Sequence, residues 1–118
     1  MSSPETVLLQ QIRLALAEIP GVIMWRNSIG HDGRAHVDYG IQNPGGSDLI
    51  GWVVTFIDAG IQGGDIARFL AIEVKTNTGV VSNEQKRFIA IVRQNGGYAG
   101  IARSIQDAKD ITNGIIRD

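Results

Sequence analysis

The 118-residue chain has no cysteine, so disulfides and thiolate metal sites are both excluded. Any metal ion must be held by oxygen or imidazole, which points towards Mg²⁺ or Mn²⁺ rather than structural zinc. No apolar run approaches the roughly 20 residues of a membrane span, so none crosses a bilayer as a helix. The N-terminus lacks a basic stretch ahead of an apolar one, the mark of a secretory signal. A soluble, cytoplasmic protein is expected. Charge of one sign is missing too: eleven basic against twelve acidic residues leave a net charge of −1. That is not the basic footprint of many DNA binders, although it excludes no function. What is present is 43% apolar and 19% charged, a globular rather than a disordered composition. The length predicts one domain over residues 1–118, large enough for a core without staples.

Ser3-Pro4 reads as an N-cap followed by proline at the first helical position. The helix it opens runs to about Glu18, where Pro20-Gly21 stops it. Leu9, Ile12, Leu16 and Ile19 form its apolar stripe, with Glu5 on that stripe one turn earlier. Val22 to Arg26 predicts a strand, and polar, glycine-rich Asn27 to Gly46 predicts a loop. Such length suggests a binding function or a short hidden element. Ser47 to Phe56 predicts a second strand, Asp58 to Asp65 a turn, and Arg68 to Thr76 a third strand. Ser82-Asn83-Glu84-Gln85 has the form of a capping box opening a helix to about Gln94, stopped by Gly96-Gly97. Tyr98 to Ala102 is a short strand, and Ser104 caps a last helix to about Ile115. The order is α-β-β-β-α-β-α, an α/β fold with a mixed central sheet of four or five strands flanked by helices. The strand–helix–strand segment ending at Ala102 is where a parallel crossover belongs.

Within the third strand, period-two alternation sends Phe69, Ala71, Glu73 and Lys75 to one face and Leu70, Ile72 and Val74 to the other. A carboxylate and an ammonium thus sit together on a strand otherwise apolar on both sides. Buried charges cost several kcal/mol per ion unless paired or bound to metal. Asp48 is a second misplaced charge, at the start of another apolar strand just after Gly45-Gly46. If the two strands are hairpin neighbours, Asp48 and Glu73 converge on one cation. Phosphodiester hydrolysis needs such a set: carboxylates holding a hard divalent ion beside the phosphate. The backbone carbonyl of Val74 offers another oxygen ligand. Lys75 can orient the attacking water or steady the phosphate charge.

Gly46-Ser47-Asp48 followed by Glu73-Val74-Lys75 at the end of an apolar strand resembles the PD-(D/E)xK nuclease superfamily, with Ser47 where that pattern often has proline. The fuller string adds Gly45 through Gly51, Ala71 through Thr76, Gln85, Phe88 and Gly96-Gly97-Tyr98-Ala99. It resembles the virus-type replication-repair nuclease branch, VRR-NUC, over most of the chain from Glu5 to about Ala108. The resemblance implies a restriction-endonuclease-like core. In that branch a first-helix glutamate and a glutamine after the lysine strand complete the site, here Glu5 and Gln85. It further implies a homodimeric endonuclease using Mg²⁺ or Mn²⁺ on branched DNA such as four-way (Holliday) junctions, in host cytoplasm if phage-encoded. Flap DNA, RNA and non-catalytic nucleic-acid binding are the alternatives. The stretch between Val53 and Ala67 departs from compact members.

Competing roles exist for several of these residues. Glu73 and Lys75 can be read as a surface salt bridge, Asp48 as a turn cap, and Glu5 as first-turn charge favoured by the helix dipole. Gln85 can bond the Ser82 backbone as the second half of the capping box, yet Phe88, Ile89 and Val92 share its inward face. His31 and His36 lie in a polar run with no further histidine or cysteine to complete a zinc site. Arg26, Arg34 and Lys86 are candidate phosphate contacts. Trp25 and Trp52 sit in strand patterns and are expected in the core.

Overall fold

The computed structural model describes residues 3–28, 30–32, 37–39 and 45–118. Helix α1 spans Pro4–Ala17, with the Ser3 hydroxyl accepting from the Thr6 amide. Strand β1 covers Val22–Arg26, β2 Gly30–Asp32, β3 Val37–Tyr39, β4 Leu49–Ile57 and β5 Gly64–Val74. Helix α2 spans Asn83–Gln94, β6 Tyr98–Ala102 and α3 Ile105–Thr112. Among the described residues, no helix is long and apolar enough to cross a membrane.

The main sheet runs β1-β4-β5-β6. β4 pairs antiparallel with both β1 and β5, whereas β5 and β6 are parallel across the α2 crossover, as expected. This is the mixed, helix-flanked sheet of a restriction-endonuclease-like core. The alternation read along the third strand holds. Leu70, Ile72 and Val74 join Leu9, Ile12 and Leu16 of α1 and Ala108 and Ile111 of α3 in one core. Ala71 joins Ile50, Ala99 and Ile101 beneath Phe88 and Ile89 of α2 in another. Glu73 therefore belongs to the α2 face of the sheet.

Four expectations need correction. The loop predicted over Asn27 to Gly46 contains the paired strands β2 and β3, which form a separate two-stranded sheet. Three residues per strand, with Gly30, His31, Asp32 and Asp38 among them, give too short and polar a pattern for an alternation signal. β4 and β5 also run further towards each other than predicted, joined by a single helical turn at Gly60–Gln62. The hairpin ladder continues to Ile57 opposite Gly64, beyond Val53 where β1 stops pairing, because the β-branched and aromatic run Val53 to Ile57 favours extended backbone. Third, Trp25 and Trp52 are exposed, at 44% and 36%. Their register places them on the α2 face with Ile23 and Phe69, and α2 packs chiefly over β5 and β6, the half of the sheet away from β1. The two rings meet edge to face, 5.8 Å between centroids. The last helix also stops at Thr112, before left-handed Gly114, rather than near Ile115.

Candidate active site

The β4–β5 ladder ends at Leu49 opposite Ile72, which leaves Asp48 next to Glu73 just beyond it. Here the Asp48 side chain takes over from the backbone: its Oδ2 accepts the Val74 amide at 2.8 Å. A donor that the ladder would otherwise leave unpaired thus fixes a carboxylate in place. A strand residue's N–H and C=O point the same way, so the Val74 carbonyl is directed to the Asp48 side as well.

Glu73 is 3% exposed and stands against three polar groups. Its Oε1 accepts from the Gln85 side-chain amide at 2.8 Å and lies 3.9 Å from the Lys75 ammonium. Asp48 is the third, close enough to repel it and to share a hydrogen bond. Burial, followed by Asp48's charge and that hydrogen bond, pushes the Glu73 carboxyl up to about 8. Lys75 pulls the other way and is outweighed. The surface salt-bridge reading of Glu73 and Lys75 is therefore wrong in its premise, because both groups are largely enclosed.

The Gln85 side chain is bonded at both ends. Its Oε1 accepts from the Ser82 amide at 2.9 Å, and the Ser82 hydroxyl accepts from the Gln85 amide at 3.1 Å, so the capping box is complete. With the oxygen end held by the cap, the amide nitrogen is aimed at Glu73. Gly45, at φ +92°, runs so close to the first turn of α2 that a β-carbon there would stand 2.1 Å from the Glu84 carbonyl oxygen. Beyond Lys75, the Arg103 guanidinium donates to the Thr76 and Gly79 carbonyls at 2.6 and 3.0 Å and pins the turn.

The other candidates are spread around this pair. Glu5 lies in the first turn of α1, half-buried. It lines a cleft of about 510 Å³ with Ser3, Pro4 and Thr76 to Thr78, the residues directly after Lys75. Among the described residues, no three His, Asp or Glu side chains gather closely enough to hold one ion, so Glu5 stands beside the pair rather than within it. Arg26 is exposed at the site end of β1, opposite Leu49, whose side chain belongs to the other face of the sheet. Lys86 lines a separate cavity with Arg93 and Asp118. Arg34 and His36 lie outside the described residues, as does the side chain of His31.

Sequence reasoning missed Asn27 and Arg103. Asn27 is buried, its amide donating to the Asp48 carbonyl at 2.8 Å and its Nδ2 to the Ser47 carbonyl at 3.0 Å. No sequence signal marks a polar residue at a strand end as buried. Ser47 is itself fully buried, with no hydrogen-bond partner for its hydroxyl among the described residues.

The donor set fits a hard divalent cation. Two carboxylates in mutual contact carry more negative charge than one ammonium at 3.9 Å balances, and one of them keeps its proton instead. One or two carboxylates, completed by water and substrate phosphate, are the usual protein share of a Mg²⁺ site. No curated protein and no solved structure matches the chain. The VRR-NUC domain model matches residues 7–106, which takes in Asp48, Glu73, Lys75 and Gln85 on the elements just described. The chain belongs to the VRR-NUC domain family, a family of nucleases.

Proposed function

We propose that residues 1–118 act as one Mg²⁺- or Mn²⁺-dependent endonuclease domain that hydrolyses phosphodiester bonds in branched DNA. One observation carries this reading: Asp48, just ahead of β4, and Glu73 on the neighbouring strand β5 meet where Glu73 is buried beside the Lys75 ammonium. Asp48, Glu73 and the Val74 carbonyl would hold the ion, and Glu5 is the further carboxylate that the family resemblance assigns to the site. A bound divalent ion supplies charge to polarise the phosphate and to ease deprotonation of water.

The remaining work falls to the chain. The Val74 amide holds Asp48 by one carboxylate oxygen. Gln85 donates to Glu73 and keeps that carboxylate oriented when its proton leaves. The Lys75 ammonium, on the same face as Glu73, steadies negative charge as water adds to phosphorus and one bridging P–O bond breaks. It also orients the incoming water.

Preference for four-way junctions rests on the resemblance to stand-alone members of the family. Paired cuts on opposing strands need two sites, and a two-fold homodimer supplies them. The experiment is a cleavage panel of linear, flap and four-way-junction DNA, with single-stranded RNA beside them, each with Mg²⁺, Mn²⁺ and EDTA. Metal-dependent cutting of junctions in preference to linear duplex is expected. Cutting that survives EDTA, or none with either ion, refutes the metal assignment, and preference for flaps or RNA refutes the substrate.

A further inference from the structure

Asp48 sits one residue outside β4, where backbone normally has no ladder to hold it. Its carboxylate nonetheless reaches the Val74 amide at 2.8 Å. The direction in which the Cα–Cβ bond leaves the backbone follows from the two peptide planes either side of that Cα, and it decides what the side-chain rotamers can reach. For Asp48 these planes carry the Ser47 and Asp48 carbonyls, and Asn27 holds both. Its side-chain Nδ2 donates to the Ser47 carbonyl at 3.0 Å and its backbone amide to the Asp48 carbonyl at 2.8 Å. Asn27 follows the last β1 residue, Arg26, which pairs with Leu49, so the grip is anchored in the sheet. On the other side, Gly45 is wedged against the α2 turn that carries Gln85.

We infer that Asn27 is a positioning residue that sets the Asp48 carboxylate through the Ser47–Asp48 peptide. It touches neither phosphate nor ion. The inference rests on the assignment of Asp48 to the catalytic site. Only an amide-sized donor at this place serves, because the backbone bond alone fixes one plane and leaves the other to turn. A carboxylate turned away from Val74 is also turned away from Glu73, and the two no longer converge.

The test uses Asn27→Ala, which drops the side-chain donor, and Asn27→Asp, which keeps the shape and replaces the donor with an acceptor. The first readout is hydrogen exchange at the Val74 amide against the Leu70 and Ile72 amides. Those point towards β4 in the same way but bond its backbone. In Asn27→Ala the Val74 amide exchanges about tenfold faster relative to these two references, a local change that general destabilisation does not produce. Mn²⁺ binding measured by calorimetry weakens about tenfold, and kcat on labelled junction DNA falls about 100-fold with KM within about threefold. Equal acceleration of all three amides, or unchanged Mn²⁺ affinity, overturns the inference. Asn27→Asp gives the same pattern more strongly; should it fail to fold, Asn27→Ala alone decides. If the wild-type protein neither binds Mn²⁺ nor cuts DNA, the metal-nuclease reading fails, while the Val74 amide still decides whether Asn27 holds Asp48.

Discussion

With its carboxyl pushed up to about 8 by burial and by Asp48, Glu73 keeps a proton at pH values where an ordinary glutamate is ionised. In the unfolded chain it loses that proton near 4.5. Between the two values the folded protein binds more protons than the unfolded one, so stability falls as pH rises and levels off above about 8. Glu73→Gln keeps the size and the acceptor for Gln85 and removes the titration. Without metal, variant and wild type should melt within about 2 °C of each other at pH 4.5, and the variant about 10 °C higher at pH 8.5. Parallel melting curves across that range would show that Glu73 is not strained. Lys75→Met should lower the cleavage rate about 1000-fold and change Mn²⁺ affinity by less than about threefold, because the ammonium acts on water and phosphate. A collapse of Mn²⁺ affinity would give the lysine the different task of holding the carboxylates together. Asp48, Glu73 and Lys75 were legible in the sequence because charge in an apolar strand is an anomaly that period two exposes. Asn27 was not, because its burial depends on a strand end and a glycine loop meeting in space.

At the scale of elements, the N-terminus of α2 links folding to chemistry through one amide. Gln85→Ala removes both of its bonds, and the capping share alone costs about 1 kcal/mol. Its loss at Glu73 should cut the rate at least tenfold, which stability measured alongside activity will separate; unchanged rate with lost stability would leave Gln85 a cap and nothing more. Gly45→Ala tests the same contact from the other side. Its β-carbon would collide with the Glu84 carbonyl at a φ that side chains rarely adopt. Destabilisation of about 1–3 kcal/mol is expected, with activity lost as α2 is displaced. The sequence announced α1, α2 and the parallel crossover because caps, glycine stops and long apolar stripes are local signals. The β2–β3 hairpin left no such trace. Trp25 and Trp52 read as core because a strand pattern does not say which part of a sheet its helix covers.

Over the whole molecule, the β4–β5 hairpin extends past β1 and presents Val54, Phe56, Ile61 and Ile66 to solvent, with Phe56 at 68% and Ile61 at 99% exposure. None of these four side chains fills the core, although Ile50 at the other end of β4 does. The hairpin's apolar surface suits a second copy of the chain, and the dimer expected from the family resemblance places part of the Val53–Ile66 segment at or near the interface. Light scattering at micromolar concentration should give twice 12.7 kDa, and Phe56→Glu with Ile61→Glu should return the monomer mass. A mass near 12.7 kDa for the wild type, with junction cutting still paired, would refute the dimer.

The mixed pairing of β5 also fixes an order of assembly. β4 and β5 are joined by residues 58–63, a short closure, whereas β5 and β6 meet only after residues 75–97 have looped across. Short-range pairing costs less chain entropy and comes first. Asp48 and Glu73 are therefore brought together before α2 delivers Gln85.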